Sequence, residues 1–75
     1  MKITVETGAW AAKYISDGYS VLDVPEGASI SDVIAVLGLP AEETGIAVIC
    51  GKIVPREHVL ADGDVLKIYP VIVGG

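Results

Sequence analysis

The chain has no phenylalanine and only one each of cysteine, histidine, methionine and tryptophan. One cysteine excludes an intramolecular disulfide, and one cysteine with one histidine falls short of the donors a structural zinc site needs. Basic residues are also scarce. Five lysines and arginines stand against ten aspartates and glutamates, for a net charge of −5 and a pI near 4.5. That balance disfavours nucleic acid or an anionic membrane as the main partner and suits a basic surface on another protein. Long apolar runs are missing too, since none approaches the roughly 20 residues of a membrane span. The opening Met1-Lys2-Ile3-Thr4-Val5 lacks the apolar core and cleavage site of a signal peptide, so a cytoplasmic protein is expected. There is no repeat, low-complexity stretch or linker.

What remains is short and apolar: 75 residues, 52% hydrophobic and 20% charged, with mean hydropathy +0.61. This is too apolar for disorder and large enough for one core only. Residues 1–73 are expected to form a single domain and 74–75 a flexible tail. A nucleotide-binding fold, a barrel or a deep self-made cleft is excluded by size. Any part in catalysis should be that of a substrate, carrier or small subunit, with no enzymatic activity of its own.

Turn residues punctuate the chain at Gly18, Pro25-Glu26-Gly27, Gly38-Leu39-Pro40, Gly51 and Asp62-Gly63-Asp64. Between them, Lys2 to Glu6 alternates as a half-buried strand does. Ala9 to Ile15 can form one or two helical turns, with Trp10, Tyr14 and Ala11 facing inward. Ser20 to Val24 reads as a second strand, antiparallel to the first. Ser29 and Asp32 have the spacing of a capping box, and Ile30, Val33, Ile34 and Leu37 make one apolar helix face. Gly38 supplies the left-handed stop, and Pro40 prevents resumption. Gly45 to Cys50 is continuously apolar, as in a strand buried on both faces. Ile53-Val54-Pro55 is a short strand, and Leu60 anchors a polar loop. Val65 to Val73 is the last strand, with Leu66 and Ile68 on one side and Val65, Lys67 and Tyr69 on the other. Pro70 marks an edge or the end of regular pairing. One helix face among these strands needs a small sheet to cover it. The expected class is α+β, a β-grasp (ubiquitin-like) fold: a mixed four- to five-stranded sheet, first and last strands parallel at its centre, one main helix packed across it.

The feature that carries chemistry is the end, Ile72-Val73-Gly74-Gly75. A strand running into two glycines can thread a narrow tunnel, where any side chain would clash, and present its carboxylate to a reactive centre. A carboxylate is a poor electrophile and needs activation, most simply as a mixed anhydride with AMP. Displacement by sulfur gives a C-terminal thiocarboxylate on Gly75; displacement by an amine gives an amide conjugate. Neither requires a catalytic side chain in this chain. Lys67, Tyr69, Val71 and Val73 lead to this tail along one strand face. They suit a docking surface, and equally the half-covered outer face of a strand. Other candidates are bland. Cys50 ends an apolar strand as a buried, inert thiol. His58 is a solvated loop histidine, Glu42-Glu43 a solvated loop, and Asp62 and Asp64 flank a turn too poor in oxygen ligands to be a metal site.

With these residues in view, the chain resembles, over nearly its whole length, the ThiS/MoaD family of β-grasp sulfur carriers. The resemblance rests on Val24-Pro25-Glu26-Gly27-Ala28-Ser29-Ile30-Ser31-Asp32-Val33 and Leu37-Gly38-Leu39-Pro40. It also rests on Gly51-Lys52-Ile53-Val54, Leu60-Ala61-Asp62-Gly63-Asp64-Val65 and Gly74-Gly75. Cys50 departs from the pattern, where the family usually has Asn before the Gly. The resemblance implies an E1-like enzyme that adenylates Gly75 with ATP and magnesium, which that partner binds, so no cofactor or metal is bound by this chain. It implies a persulfide sulfur donor and an acceptor synthase subunit, either the molybdopterin synthase large subunit or a thiazole synthase of the thiamine pathway. The long Gly8 to Gly18 connection and Ile68-Tyr69-Pro70 lean to the molybdopterin type, which a tungstopterin pathway would match. Val54-Pro55-Arg56-Glu57 looks like the thiamine type. A ubiquitin-like modifier that forms isopeptide bonds, or a β-grasp binding module with no use for its terminus, are the competing classes.

Overall fold

Alternation in Lys2–Glu6 makes the first strand, β1, with Ile3 and Val5 buried. The computed structural model describes residues 1–71 of the chain. After β1 come short 3₁₀ turns at Ala9–Ala11 and Ser16–Gly18, then β2 (Tyr19–Asp23), antiparallel to β1. Ala11 and Ile15 of the first connection are buried, and Trp10 packs half-buried against the core, as expected. Tyr14, expected to face inward, is exposed, because these short turns never complete a helix face that could carry it in.

The helix α1 spans Ile30–Leu37. Ser29 Oγ accepts from the Asp32 N–H at 3.2 Å, and Asp32 Oδ2 accepts from the Ser29 N–H at 2.9 Å, completing the capping box. The next free amides are taken by a neighbouring loop: Ile30 donates to His58 O at 3.1 Å and Ser31 to Arg56 O at 3.0 Å. Gly38, at φ 73°, ends the helix in the left-handed conformation. Ile30, Val33 and Ile34 enter one buried cluster with Ile3, Val5, Leu66 and Ile68 of the sheet, and half-buried Leu37 lies at its margin.

A 3₁₀ turn at Ala41–Glu43 leads into β3 (Thr44–Ile49), which hairpins into β4 (Lys52–Val54). Among the described residues the last strand is β5 (Val65–Pro70). The five strands order as β2-β1-β5-β3-β4, with β1 and β5 parallel at the centre. This is the expected β-grasp.

Two expectations fail at β3. It is not buried on both faces: Thr44, Ala47 and Ile49 are buried, but Ile46 is exposed and Val48 half-buried. The helix covers one side of the sheet only; Ile46 and Val48 alternate with buried Ala47 and Ile49 onto the other side, and a register break between Thr44 and Ala47 brings Thr44 back to the covered side. Cys50 is exposed, not buried. It is a central residue of the β3–β4 hairpin, where φ is 52° at Cys50 and 75° at Gly51. Positive φ at both centres is what a two-residue hairpin turn of type I′ requires, which accounts for the family's usual Asn at this place. His58 is half-buried, its N–H donating to Pro55 O.

Candidate functional site: the outer face of the last strand

Along β5, Leu66 and Ile68 point into the core, so Val65, Lys67 and Tyr69 must point out. Lys67, Tyr69 and Val71 are all exposed and lie on one line towards the C-terminus. Lys67 has Glu6 of β1 on one side and Val48 of β3 on the other. Among the described residues, no ion pair engages Lys67; the amine of Met1 with Asp23, at 3.9 Å, is the one such pair. Two depressions flank the line. One of 640 Å³ has Glu6, Val48, Cys50, Asp64 and Lys67 in its lining; another, of 420 Å³, is lined by Gly45, Ile46, Tyr69, Pro70 and Val71. Tyr69 borders both. The smaller one is almost wholly apolar, and the exposed carboxylate residues Glu42 and Glu43 precede it in the chain.

The approach to the tail is held by contacts distant in sequence. The Val71 N–H donates to Glu43 O at 3.0 Å. On the opposite edge the Trp10 indole N–H donates to Ile68 O at 3.2 Å, just beyond Lys67, where the β1 ladder stops. Alternate residues of a strand turn their N–H to the same edge. Pro70 therefore has its nitrogen on the Trp10 edge, where no partner strand needs a donor, and the chain stays extended through it. Against β3, the backbone comes very close. A Cβ on Gly45 would lie 2.6 Å from Pro70 O and 2.9 Å from Tyr69 O. Arg56 donates to Ala41 O at 3.2 Å and to Thr44 O, tying down the turn that leads to Gly45.

Lys67, Tyr69 and Val71 are thus brought together. Val73, Gly74 and Gly75 lie outside the described residues. Sequence reading missed Trp10, Gly45 and Arg56 as supports of this site. A glycine at the start of an apolar strand was the available signal for Gly45; nothing local pointed to the other two. Among the described residues no group of three or more His, Cys, Asp or Glu is placed to hold a metal, and no helix is long and apolar enough to cross a membrane. What this face offers chemically is an exposed phenol and amine beside an apolar hollow.

A family model described as Mut7-C ubiquitin matches residues 17–73. No curated protein matches the sequence. Among solved structures, the chain is similar to molybdopterin converting factor, subunit 1, from Pyrococcus furiosus, with a TM-score of 0.78 and 22% identity over 96% of this chain and 99% of that one. It is similar to H. volcanii small archaeal modifier protein 1, with a TM-score of 0.76 and 16% identity over 95% and 98%. A third likeness is to the complex of subunits 1 and 2 of molybdopterin-converting factor from Helicobacter pylori, with a TM-score of 0.65 and 16% identity over 100% of both chains. These likenesses are of fold, and they agree with the ThiS/MoaD-type β-grasp read from the motifs.

Proposed function

The chain belongs to the Mut7-C ubiquitin family, and on that premise we propose that it is a carrier whose own C-terminus is the reacting group. The observation that carries this reading is the line of exposed Lys67, Tyr69 and Val71 along the central strand, which Gly74-Gly75 follow within a few residues of sequence. A partner that grips this face gains leverage over the tail. The face offers two handles for it, the apolar hollow beside Tyr69 and the Lys67 amine, which has no ion-pair partner among the described residues.

In this reading an E1-like enzyme binds ATP and magnesium and docks on β5. The Gly75 carboxylate attacks the α-phosphate of ATP, and pyrophosphate leaves. The terminal sulfur of a persulfide then displaces AMP, and reductive cleavage of the acyl disulfide by a thiol leaves a thiocarboxylate. Glycines at 74 and 75 let the tail enter both active sites without a side chain to exclude it. The charged product is handed to an acceptor synthase subunit of the molybdopterin type, or to a thiazole synthase. The likeness to molybdopterin converting factor subunits supports the first. A second reading, conjugation of Gly75 to protein lysines, shares every step up to the adenylate. The likeness to a small archaeal modifier protein supports it.

Intact-protein mass spectrometry of the chain isolated from its host, or treated with an E1-like enzyme, ATP, magnesium and a persulfide donor, tests the proposal. One oxygen exchanged for sulfur at Gly75 is expected, and Gly75→Trp should leave the fold intact but abolish the exchange. Conjugates that survive reducing agent and depend on Gly75 would favour the modifier. A chain inert under all these conditions, or a Gly75→Trp variant that still transfers sulfur, would overturn the carrier.

A further inference from the structure

The sheet has two unlike edges. At one, β4 is three residues long, starts at Lys52 and stops before Pro55. Shortness, lysine and proline are the usual guards against strand addition. At the other edge β2, Tyr-Ser-Val-Leu-Asp from Tyr19 to Asp23, keeps an unbroken five-residue register with β1 and has no lysine, proline or bulge. Its hydrogen-bonding phase follows from its ends. Val24 and Met1 exchange bonds of 2.8 and 2.9 Å, and Thr7 donates to Gly18 O at 2.8 Å. Residues 18, 20, 22 and 24 therefore address β1, so Tyr19, Val21 and Asp23 turn their N–H and C=O outward. Among the described residues none of these six groups has a partner.

We propose that a second copy of this chain pairs with this edge, β2 against β2, antiparallel about Val21. That register sets 19 against 23, 20 against 22 and 21 against itself, and satisfies all six outward groups at once. On the outer face Val21, 58% exposed, meets its own copy. Each Asp23 meets a tyrosine, so no like charges stand opposite each other. A shift of the centre to Asp23 would set carboxylate against carboxylate, which selects Val21. The two-fold axis then stands perpendicular to one continuous ten-stranded sheet, twice the five strands of one copy. Both Lys67–Tyr69 faces lie on the same side and stay uncovered, and the two β5 strands leave in opposite directions. Edge pairing of five residues buries far less than the area of a standard interface, so the dimer is weak and reversible. Each copy carries −5, so screening by salt strengthens it.

Sedimentation equilibrium of the full chain from micromolar to millimolar concentration tests this. A monomer–dimer equilibrium that tightens with salt is expected, with concentration-dependent amide shifts at Tyr19, Val21 and Asp23. Val21→Lys and Val21→Glu should each be monomeric with native-like spectra, because the side chain is exposed. Mixing the two variants should restore the dimer, since the register sets residue 21 against itself. A chain that stays monomeric throughout, shifts that map elsewhere, or a mixture that fails to associate would overturn the proposal. So would uptake of an unrelated extended peptide at this edge with no self-association.

Discussion

Leu66 and Tyr69 belong to one strand, yet they answer to different demands. Leu66 is fully buried in the core that α1 also enters, whereas Tyr69 stands in solvent on the face the helix does not cover. The inner residues of β5 set where the strand lies, and the outer ones are free to be selected for what they touch. A sheet covered on one side separates core residues from surface residues along a single strand, by nothing more than the two-residue period of the side chains.

The comparison breaks most completely at Leu66→Asp. It sets an unpaired charge in the core and should cost more than about 4 kcal/mol, enough to unfold a domain this small. Loss of dispersion in an NMR spectrum would show it, and a native-like spectrum would mean the inner face is less closed than described. Gly45→Ala comes next. Its Cβ meets rigid backbone at 2.6 Å, so β5 must shift near Tyr69 and Pro70, at a cost of roughly 1–3 kcal/mol in urea unfolding. Because this site supports the outer face from within, the proposed carrier activity should fall as well. Cys50→Asn should act in the opposite direction, adding roughly 0.5–1 kcal/mol, because Asn tolerates the positive φ of this hairpin better. A destabilised Cys50→Asn would mean the thiol makes a contact that its exposure hides. The smallest change in stability, within about 0.5 kcal/mol, belongs to Lys67→Ala on the outer face. Tyr69→Ala on the same face should weaken binding of the proposed activating enzyme about tenfold or more with little unfolding, as loss of an aromatic anchor does. Equal binding by both variants and the parent would remove β5 from the docking surface.

Much of this was legible beforehand because it is local. The capping box, the apolar stripe of α1 and the stop at Gly38 are short-range hydrogen-bonding and steric effects. So is the Asp62-Gly63-Asp64 turn, in which the Asp64 carboxylate accepts from the Ala61 N–H at 2.8 Å. The errors lie where an apolar run was taken for burial. Ile46 and Cys50 continue a hydrophobic stretch, but alternation with buried Ala47 turns one outward and a hairpin turn exposes the other.

The sequence by itself determined the elements, their order and the alternation that puts Lys67, Tyr69 and Val71 on one line. Each of these follows from periodicity or from backbone preferences that act within a few residues. Only the tertiary structure decided that Trp10 would close the end of the β1–β5 ladder, that Gly45 would admit the backbone of Pro70, and that Arg56 would brace the turn before β3. It also left β2 as the unguarded edge. Those outcomes depend on which strands become neighbours, a matter of closing long loops over one shared core, and no local pattern records it.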